Sequence, residues 1–342
     1  MEKKVTIAID AMGGDHGVVV TVPAAISMLK KHSNLYLILV GFDGSIKEQL
    51  KKYHSVDHPR IIIQHASQIV AMDELPTSAL RYKKDSSMRV AINLVKDGIA
   101  EACVSAGNTG ALMATAKFVL KMLPGVDRPA LTALIPTYDE KKSVRVLDLG
   151  ANVDCCSDHL YQFAVMGSVL VSAVEGIDNP KVGLLNIGGE DIKGNDQVKQ
   201  GAKLLSASKH INYCGYVEAD NIFEGVADVV VCDGFVGNVA LKAMEGITKL
   251  FSFYMKKAFK RNLYTRFAKF ISIPALLTLK KELDPGKHNG ASFLGLQGIV
   301  IKSHGSANSS AFANAIKEAM LEVKNNVPQL IGSKVSKVLE ET

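Results

Sequence analysis

Six segments of this chain set an ionisable or amide side chain among glycines: Asp10-Ala-Met-Gly-Gly-Asp-His-Gly17, Ser105-Ala-Gly-Asn-Thr-Gly110, Asp148-Leu-Gly-Ala-Asn-Val-Asp154, Asn186-Ile-Gly-Gly-Glu-Asp-Ile-Lys-Gly-Asn195, Asp233-Gly-Phe-Val-Gly-Asn238 and Lys302-Ser-His-Gly-Ser306. An apolar run enters each segment and a helix-forming stretch leaves it. Such a corner presents free backbone N–H groups beside the positive end of a helix. The chemistry this favours is holding an anion, phosphate above all, and polarising a carbonyl.

Individual residues at these corners have two readings each. Gly107, Asn108, Thr109 and Gly110 open directly into a helix-forming run from Ala111 to Met122. Asn108 and Thr109 can cap that helix, and the same end can hold a phosphate oxygen. Lys193 sits beside Gly194 in a glycine-rich loop, where it is either solvated or able to approach a small anion closely. Asn238 follows Gly237 and is either an N-cap or an amide donor to a developing oxyanion. His16 is a proton donor or base with Asp15 as its partner, or Asp15 caps the next helix and His16 is incidental. His304, within Ser303-His304-Gly305, has the same two readings. Asn152, Asp154, Asp233 and Gly234 complete the candidate substrate-binding set.

Standard nucleotide, metal and hydrolase motifs are absent. No G-x-G-x-x-G follows a strand-like run, and the Walker-like spacing of Gly189 and Gly194 is followed by Asn195-Asp196 in place of Lys and Ser or Thr. No Cys/His cluster suggests zinc and no G-x-S-x-G suggests a serine nucleophile. Neither a metal nor an organic cofactor is expected. The five cysteines lack C-x-x-C spacing and read as small buried hydrophobes of a reducing compartment. Cys155 and Cys156 are the positions where a catalytic thiol is conceivable, but nothing local marks either as activated.

The positioning elements follow from the pattern of apolar runs. Strands are expected at Val5–Ile9, Leu35–Val40, Arg60–Gln64, Ala102–Ser105, Ala130–Ile135, Val144–Leu149, Lys181–Ile187, Asn212–Tyr216, Ala227–Cys232 and Gly298–Lys302. Helices are expected at Val22–Lys31, Ser87–Lys96, Ala111–Met122, Ser157–Val174, Asp196–Ala207 and Ser309–Val323. Alternation of this kind predicts an α/β fold, a doubly wound three-layer α/β/α arrangement on a largely parallel sheet. In such a sheet ligands bind at the carboxyl ends of the strands, so the corners are expected along one edge. The 342 residues suit a single α/β catalytic unit, divisible into two lobes at about 1–142 and 143–342.

Composition narrows the partners. The net charge of +6 is mildly basic and fits an acidic partner. The absence of Trp and of any recognisable binding motif argues against nucleic acid. No apolar run approaches the roughly 20 residues needed to cross a bilayer, and no secretory signal is visible. A cytoplasmic or peripherally membrane-associated protein is expected.

One region departs from the α/β rhythm. Residues 239–283 carry no strand signal and read as a helical hairpin, beginning with one long helix over Val239–Asn262. Phe259, Leu263, Phe267, Phe270 and Ile271 fall on one helical face; Pro274 then interrupts, and Leu276 and Leu277 follow. Between Lys256 and Lys281 there are eight Lys or Arg and no acidic residue. An apolar, basic tip of this kind suits an anionic membrane interface; the simpler alternative is a solvated basic face with its stripe packed on protein.

Taken together, Asp10–Gly17, Lys84-Asp-Ser-Ser-Met-Arg89, Val104–Ala111, Leu147–Asp154, Leu184-Leu-Asn-Ile-Gly188, Asp233–Asn238 and Ile301-Lys-Ser-His-Gly305 strongly resemble the bacterial acyl-carrier-protein:phosphate acyltransferases of phospholipid synthesis, the PlsX family. The resemblance runs from about Val5 to Ala319. It implies transfer of a fatty acyl group from acyl-carrier protein to inorganic phosphate, giving acyl phosphate and free carrier. It also implies an isocitrate dehydrogenase-like fold related to phosphate acetyltransferases, a homodimer, and a cytoplasmic enzyme peripherally attached to the membrane. On this resemblance Lys193 and Asn238 are the first catalytic candidates; in the mechanism that fits the residues, Lys193 and the Asn108-Thr109-Gly110 helix end hold phosphate, and His16 or Lys193 aids proton transfer. One departure is Gly189, where the resemblance leads us to expect an acidic residue. Rival readings are a phosphate acetyltransferase-like enzyme using an acyl-CoA, a dehydrogenase of a phosphorylated hydroxy acid, and a non-enzymatic membrane-surface scaffold for carrier protein.

Overall fold

Each apolar run entering a glycine corner is a strand, and the caps that follow begin helices. The computed structural model describes residues 3–282 and 284–340. The strands are β1 (Val5–Asp10), β2 (Leu35–Gly41), β3 (Ile61–His65), β4 (Ala102–Ser105), β5 (Ala130–Pro136), β6 (Ser143–Leu147), β7 (Lys181–Leu185), β8 (Asn212–Val217), β9 (Val229–Val231), β10 (Ala291–Leu294) and β11 (Ile299–Lys302). The helices are α1 (Val18–Lys31), α2 (Asp43–Lys51), α3 (Pro76–Tyr82), α4 (Ser87–Lys96), α5 (Thr109–Leu120), α6 (Ser157–Glu175), α7 (Asp196–Ala207), α8 (Gly234–Phe259), α9 (Leu263–Ile271), α10 (Ile273–Glu282), α11 (Ser309–Lys324) and α12 (Val327–Glu340). Side-chain caps explain several starts: Ser86 for α4, Asn108 for α5, Asn195 for α7, Asp233 for α8 and Asn308 for α11. Apolar strands such as β4 and β9 are buried at every position, as expected of strands covered on both faces.

All strands join one 11-stranded sheet in the order β3-β2-β1-β4-β11-β10-β5-β6-β9-β7-β8. It is largely parallel, but β10 runs antiparallel to both β11 and β5, and β5 runs antiparallel to β6. The group β6, β9, β7 and β8 therefore runs opposite to β1, β2, β3, β4 and β11. This corrects the expectation that the glycine corners share one edge. Those after β1, β4 and β11 leave by one edge, and those after β6, β9 and β7 leave by the other.

The two edges nevertheless meet. Ile9, Val104, Ile301, Ser292, Thr132, Leu147, Val231 and Leu184 form one continuous row across the sheet. Asp10, Ser105 and Lys302 lie one step past that row in their strands' direction; Asp148, Cys232 and Leu185 lie one step past it in the opposite direction. The halves are staggered so that both sets of carboxyl ends stop at the same band. Short β10, between Gly290 and Gly295, is the element that the apolar runs do not reveal.

The hairpin also differs from expectation. Its long helix starts at Gly234 and ends at Phe259. The chain then breaks, and Asn262 caps the separate helix α9, so Phe259 does not share a continuous face with Leu263, Phe267, Phe270 and Ile271. The second break comes at Ser272, and Pro274 sits in the first turn of α10, where its missing N–H costs nothing. Phe267, Phe270, Ile271 and Leu277 are all exposed, Phe270 to 72%, while Leu276 is partly covered. Residue 283, the expected end of the hairpin, lies outside the described residues. Among the described residues no helix is long and apolar enough to cross a membrane.

Candidate active site

The corners after β1, β4 and β11 interlock. The buried Asp10 carboxylate receives Ser105 Oγ at 2.6 Å, and Ser105 Oγ in turn accepts the Gly107 N–H at 3.0 Å. A Cβ at Gly13 would lie 2.5 Å from Asp10 Oδ2 and 2.9 Å from the Gly107 nitrogen, so only glycine fits there. Ser303 N–H donates to Ser105 O, and Asp15 N–H donates to Gly305 O. Lys302 Nζ donates to Ala106 O at 3.2 Å and to Ser303 O. Burial raises the Asp10 carboxyl above its usual range against the pull of its hydroxyl and backbone neighbours, while Oδ1 has no partner at hydrogen-bond geometry.

This corner opens at the α5 N-terminus. Asn108 is the cap: Oδ1 accepts the Ala111 N–H at 3.0 Å. Its Nδ2 donates to Met72 O at 2.7 Å and Glu74 O at 3.1 Å, tying down the 72–74 segment. With the Asn108 side chain so used, it is the first-turn N–H groups of Thr109 and Gly110 that lack intrahelical acceptors and face outward.

The corners after β6 and β9 close on a second buried aspartate. Asp148 Oδ1 accepts N–H from Leu131 at 3.0 Å, Gly150 at 3.2 Å and Ala151 at 2.9 Å. Its Oδ2 accepts the backbone N–H and the Nδ2 of Asn152 at 2.7 and 2.9 Å. Burial raises this carboxyl too, opposed by those N–H groups. Gly234 N–H donates to Asn152 O at 2.7 Å, and a Cβ at Gly237 would lie 1.9 Å from Asp148 O. The approach explains why α8 opens with Gly-Phe-Val-Gly, a run that reads as loop. Asp233 caps α8 through Val236 N–H at 2.8 Å, so Asn238 is no N-cap; its side chain leaves the second turn free of capping duty. Asp154 is peripheral: its carbonyl accepts Arg128 Nη1 at 3.0 Å and its side chain is exposed.

Helix α8 joins the two groups. Asn238 packs against Gly150, whose Cβ position lies 3.4 Å from the Asn238 side chain. Lys242 and Glu245 share that face of the helix at spacings of four and seven. Lys242 Nζ contacts Glu245 Oε2 at 2.9 Å, and Glu245 Oε1 lies 3.9 Å from His304 Nε2. One polar strip therefore runs from the Asp148 corner to the Lys302 corner. His304 is anchored by Ser306 at 2.9 Å on Nδ1, and burial, its main influence, lowers its pKa. Buried Ser303 accepts Asn289 Nδ2 at 2.8 Å.

Other candidates stand apart. Lys193 folds over Gly188 and pairs with Glu190 at 2.7 Å, on the same sheet edge as Asn238 but with no direct contact to it among the described residues. His16 is exposed, and among the described residues no side-chain bond joins it to Asp15; Gly17, not Asp15, is the N-cap of α1. Cys155 is pushed up to about 12, first by burial and then by the Asp148 charge, and Cys156 serves as the α6 N-cap. Sequence reasoning overlooked Asp10, Ser105, Asp148 and Lys302 as site residues. A charged residue terminating an apolar strand, as in Ile299–Lys302 and Val5–Asp10, is the signal that marks two of them.

The arrangement is that of an α/β protein whose two oppositely running groups of strands end at one band, with glycine-bearing loops at the staggered strand ends. A phosphotransacetylase from Streptococcus pyogenes has this fold, with TM-score 0.63 and 16% identity over 94% of each chain. So does a 4-hydroxythreonine-4-phosphate dehydrogenase from Klebsiella pneumoniae, with TM-score 0.53 and 16% identity over 95% of this chain and 99% of that one. The sequence matches the family described as fatty acid synthesis protein over residues 5–330, and the chain belongs to that family. Relatives called phosphate acyltransferase include one from Legionella pneumophila (strain Paris), 57% identical over 99% of this chain and 98% of its own. Another, from Halorhodospira halophila, is 54% identical over the same shares.

Proposed function

We propose that this chain is an acyltransferase that moves a fatty acyl group from acyl-carrier protein to inorganic phosphate, giving acyl phosphate for phospholipid synthesis. Membership of the family and the names of its relatives support the acyl and phosphate chemistry. The observation that carries the site is the polar strip of α8, which links Asn238 at one group of corners to His304 at the other.

Phosphate sits at the α5 corner, held by the N–H groups of Thr109 and Gly110 and the interlocked loops of Gly107 and Gly305. A phosphate oxygen attacks the thioester carbonyl carbon and forms a tetrahedral intermediate. Its oxyanion is stabilised by Asn238, since the N–H groups of Gly234, Val236 and Gly237 already donate to Asn152 and Asp233. Collapse breaks the C–S bond, the electron pair leaves on sulfur, and the thiolate takes a proton, with Lys193 or His16 as donor. Orientation alone is worth roughly 7–11 kcal/mol when two reactants are held together. Carrier protein is acidic and docks on a basic surface that includes Lys83, Lys84, Arg89 and the hairpin lysines.

The exposed apolar side of α8, with Val239, Ile247, Leu250 and Tyr254, forms the homodimer contact, and the α9–α10 tip rests on anionic membrane. Loss of liposome flotation in Phe270→Glu, with the fold intact, checks the tip; unchanged flotation removes the membrane contact. The decisive assay for the reaction supplies acyl-carrier protein and phosphate and traps acyl phosphate with hydroxylamine. Product from acyl-CoA alone, with none from the carrier-bound acyl group, replaces the donor. No trappable product from either leaves a non-enzymatic scaffold.

A further inference from the structure

Lys302 ends β11 and turns inward, with only 8% of the residue exposed. A buried ammonium ordinarily sits against a carboxylate. Among the described residues none pairs with this one directly; Nζ donates instead to the carbonyls of Ala106 and Ser303. An ammonium carries three N–H groups, so one has no protein acceptor among the described residues. Ala106 immediately precedes the Gly107–Gly110 turn, so the amine lies at the base of the α5 corner.

We infer that Lys302 is the buried cation of the phosphate site, a binding residue whose remaining N–H meets the incoming dianion and whose charge the dianion requires. The inference rests on the placement of phosphate at the α5 corner.

The electrostatic setting fits this role. Burial pulls the amine down to about 8; Lys242 acts in the same direction, while Asp10 and Asp15 oppose it. The charged groups facing it are thus Asp10 from β1, Asp15 from the following loop, Lys242 from α8 and His304 from its own loop. The amine is charged below about pH 8 and neutral above it. A dianion favours the charged form, so binding draws a proton onto Lys302. Affinity is then full below about pH 8 and falls about tenfold per pH unit above it.

The test titrates the whole protein with inorganic sulfate, a dianion that does not itself titrate in this range, and then with inorganic phosphate. Sulfate affinity is expected to follow that profile. Uptake of about half a proton per sulfate is expected near pH 8, read from binding heats in buffers of different ionisation enthalpy. Lys302→Met is expected to weaken binding at least about tenfold near neutral pH and to flatten the profile. Lys302→Arg is expected to hold its affinity beyond about pH 9, because guanidinium stays charged. A folded Lys302→Met with wild-type affinity and profile overturns the inference. If that variant does not fold, the wild-type protein decides: a flat profile without proton uptake, or no binding of either anion, overturns it. None of these readouts needs acyl transfer. A failed transfer assay with the sulfate profile intact therefore removes the acyltransferase reading and leaves the anion site standing.

Discussion

Asp10 and Asp148 are built alike and used differently. Each ends a buried strand, each faces a glycine turn, and burial raises the carboxyl of each. Asp148 spends both oxygens on its own loop, accepting from Leu131, Gly150, Ala151 and Asn152. Asp10 holds Ser105 and leaves Oδ1 without a well-formed hydrogen bond, beside a buried lysine with an N–H to spare. The first corner is a finished structural joint against which α8 can close. The second keeps unspent polar capacity, which is what a ligand-binding corner requires.

The largest expected effect is on the finished joint. Asp148→Ala strands several buried N–H groups at about 1–3 kcal/mol each, so urea unfolding should show a loss on the order of 5 kcal/mol. Asn238→Ala should leave unfolding unchanged but lower phosphate-dependent turnover by about 2.7–4 kcal/mol, the usual worth of an oxyanion donor. Near-wild-type turnover would remove Asn238 from the reaction. Asp10→Ala breaks one well-formed hydrogen bond, from Ser105, and the weaker pulls of Ser87, Met12 and Gly13, and should cost about 1–3 kcal/mol of stability. If it proves as damaging as Asp148→Ala, the contrast between the corners fails. Smallest of all, Cys155→Ala should keep turnover within about twofold, because a thiol pushed up to about 12 carries no useful thiolate near neutral pH. A large loss there would point to an acyl-cysteine intermediate in place of direct attack by phosphate.

Much of the fold could be read from local pattern. β4, α4 and α7 have the bounds expected of them, and in the structure Ser86 and Asn195 are the side-chain caps at which the two helices start. The reversal of the sheet could not be read. It depends on the four residues of β10 and on the antiparallel turn from β5 to β6, and strand direction leaves no mark on an apolar run that is buried on both faces. The α8 start was hidden for a related reason: Gly234 and Gly237 look like loop, yet they are there because Asp148 and Asn152 approach too closely for a Cβ. At the site, the corners were visible as glycine spacing. The buried charges of Lys302 and Asp10 were not, because burial of a terminal charged residue is decided by which loops fold over it.

The unbroken course of α8 has a mechanical corollary. Its 26 residues make a rod of about 39 Å, with Asn238 near one end and the exposed Phe253 and Tyr254 near the other. A pivot of about 5° around the Gly237 contact is a displacement of about 3 Å at the far end. Whatever seizes the outer half of the rod therefore acts on the same rigid element that carries Asn238.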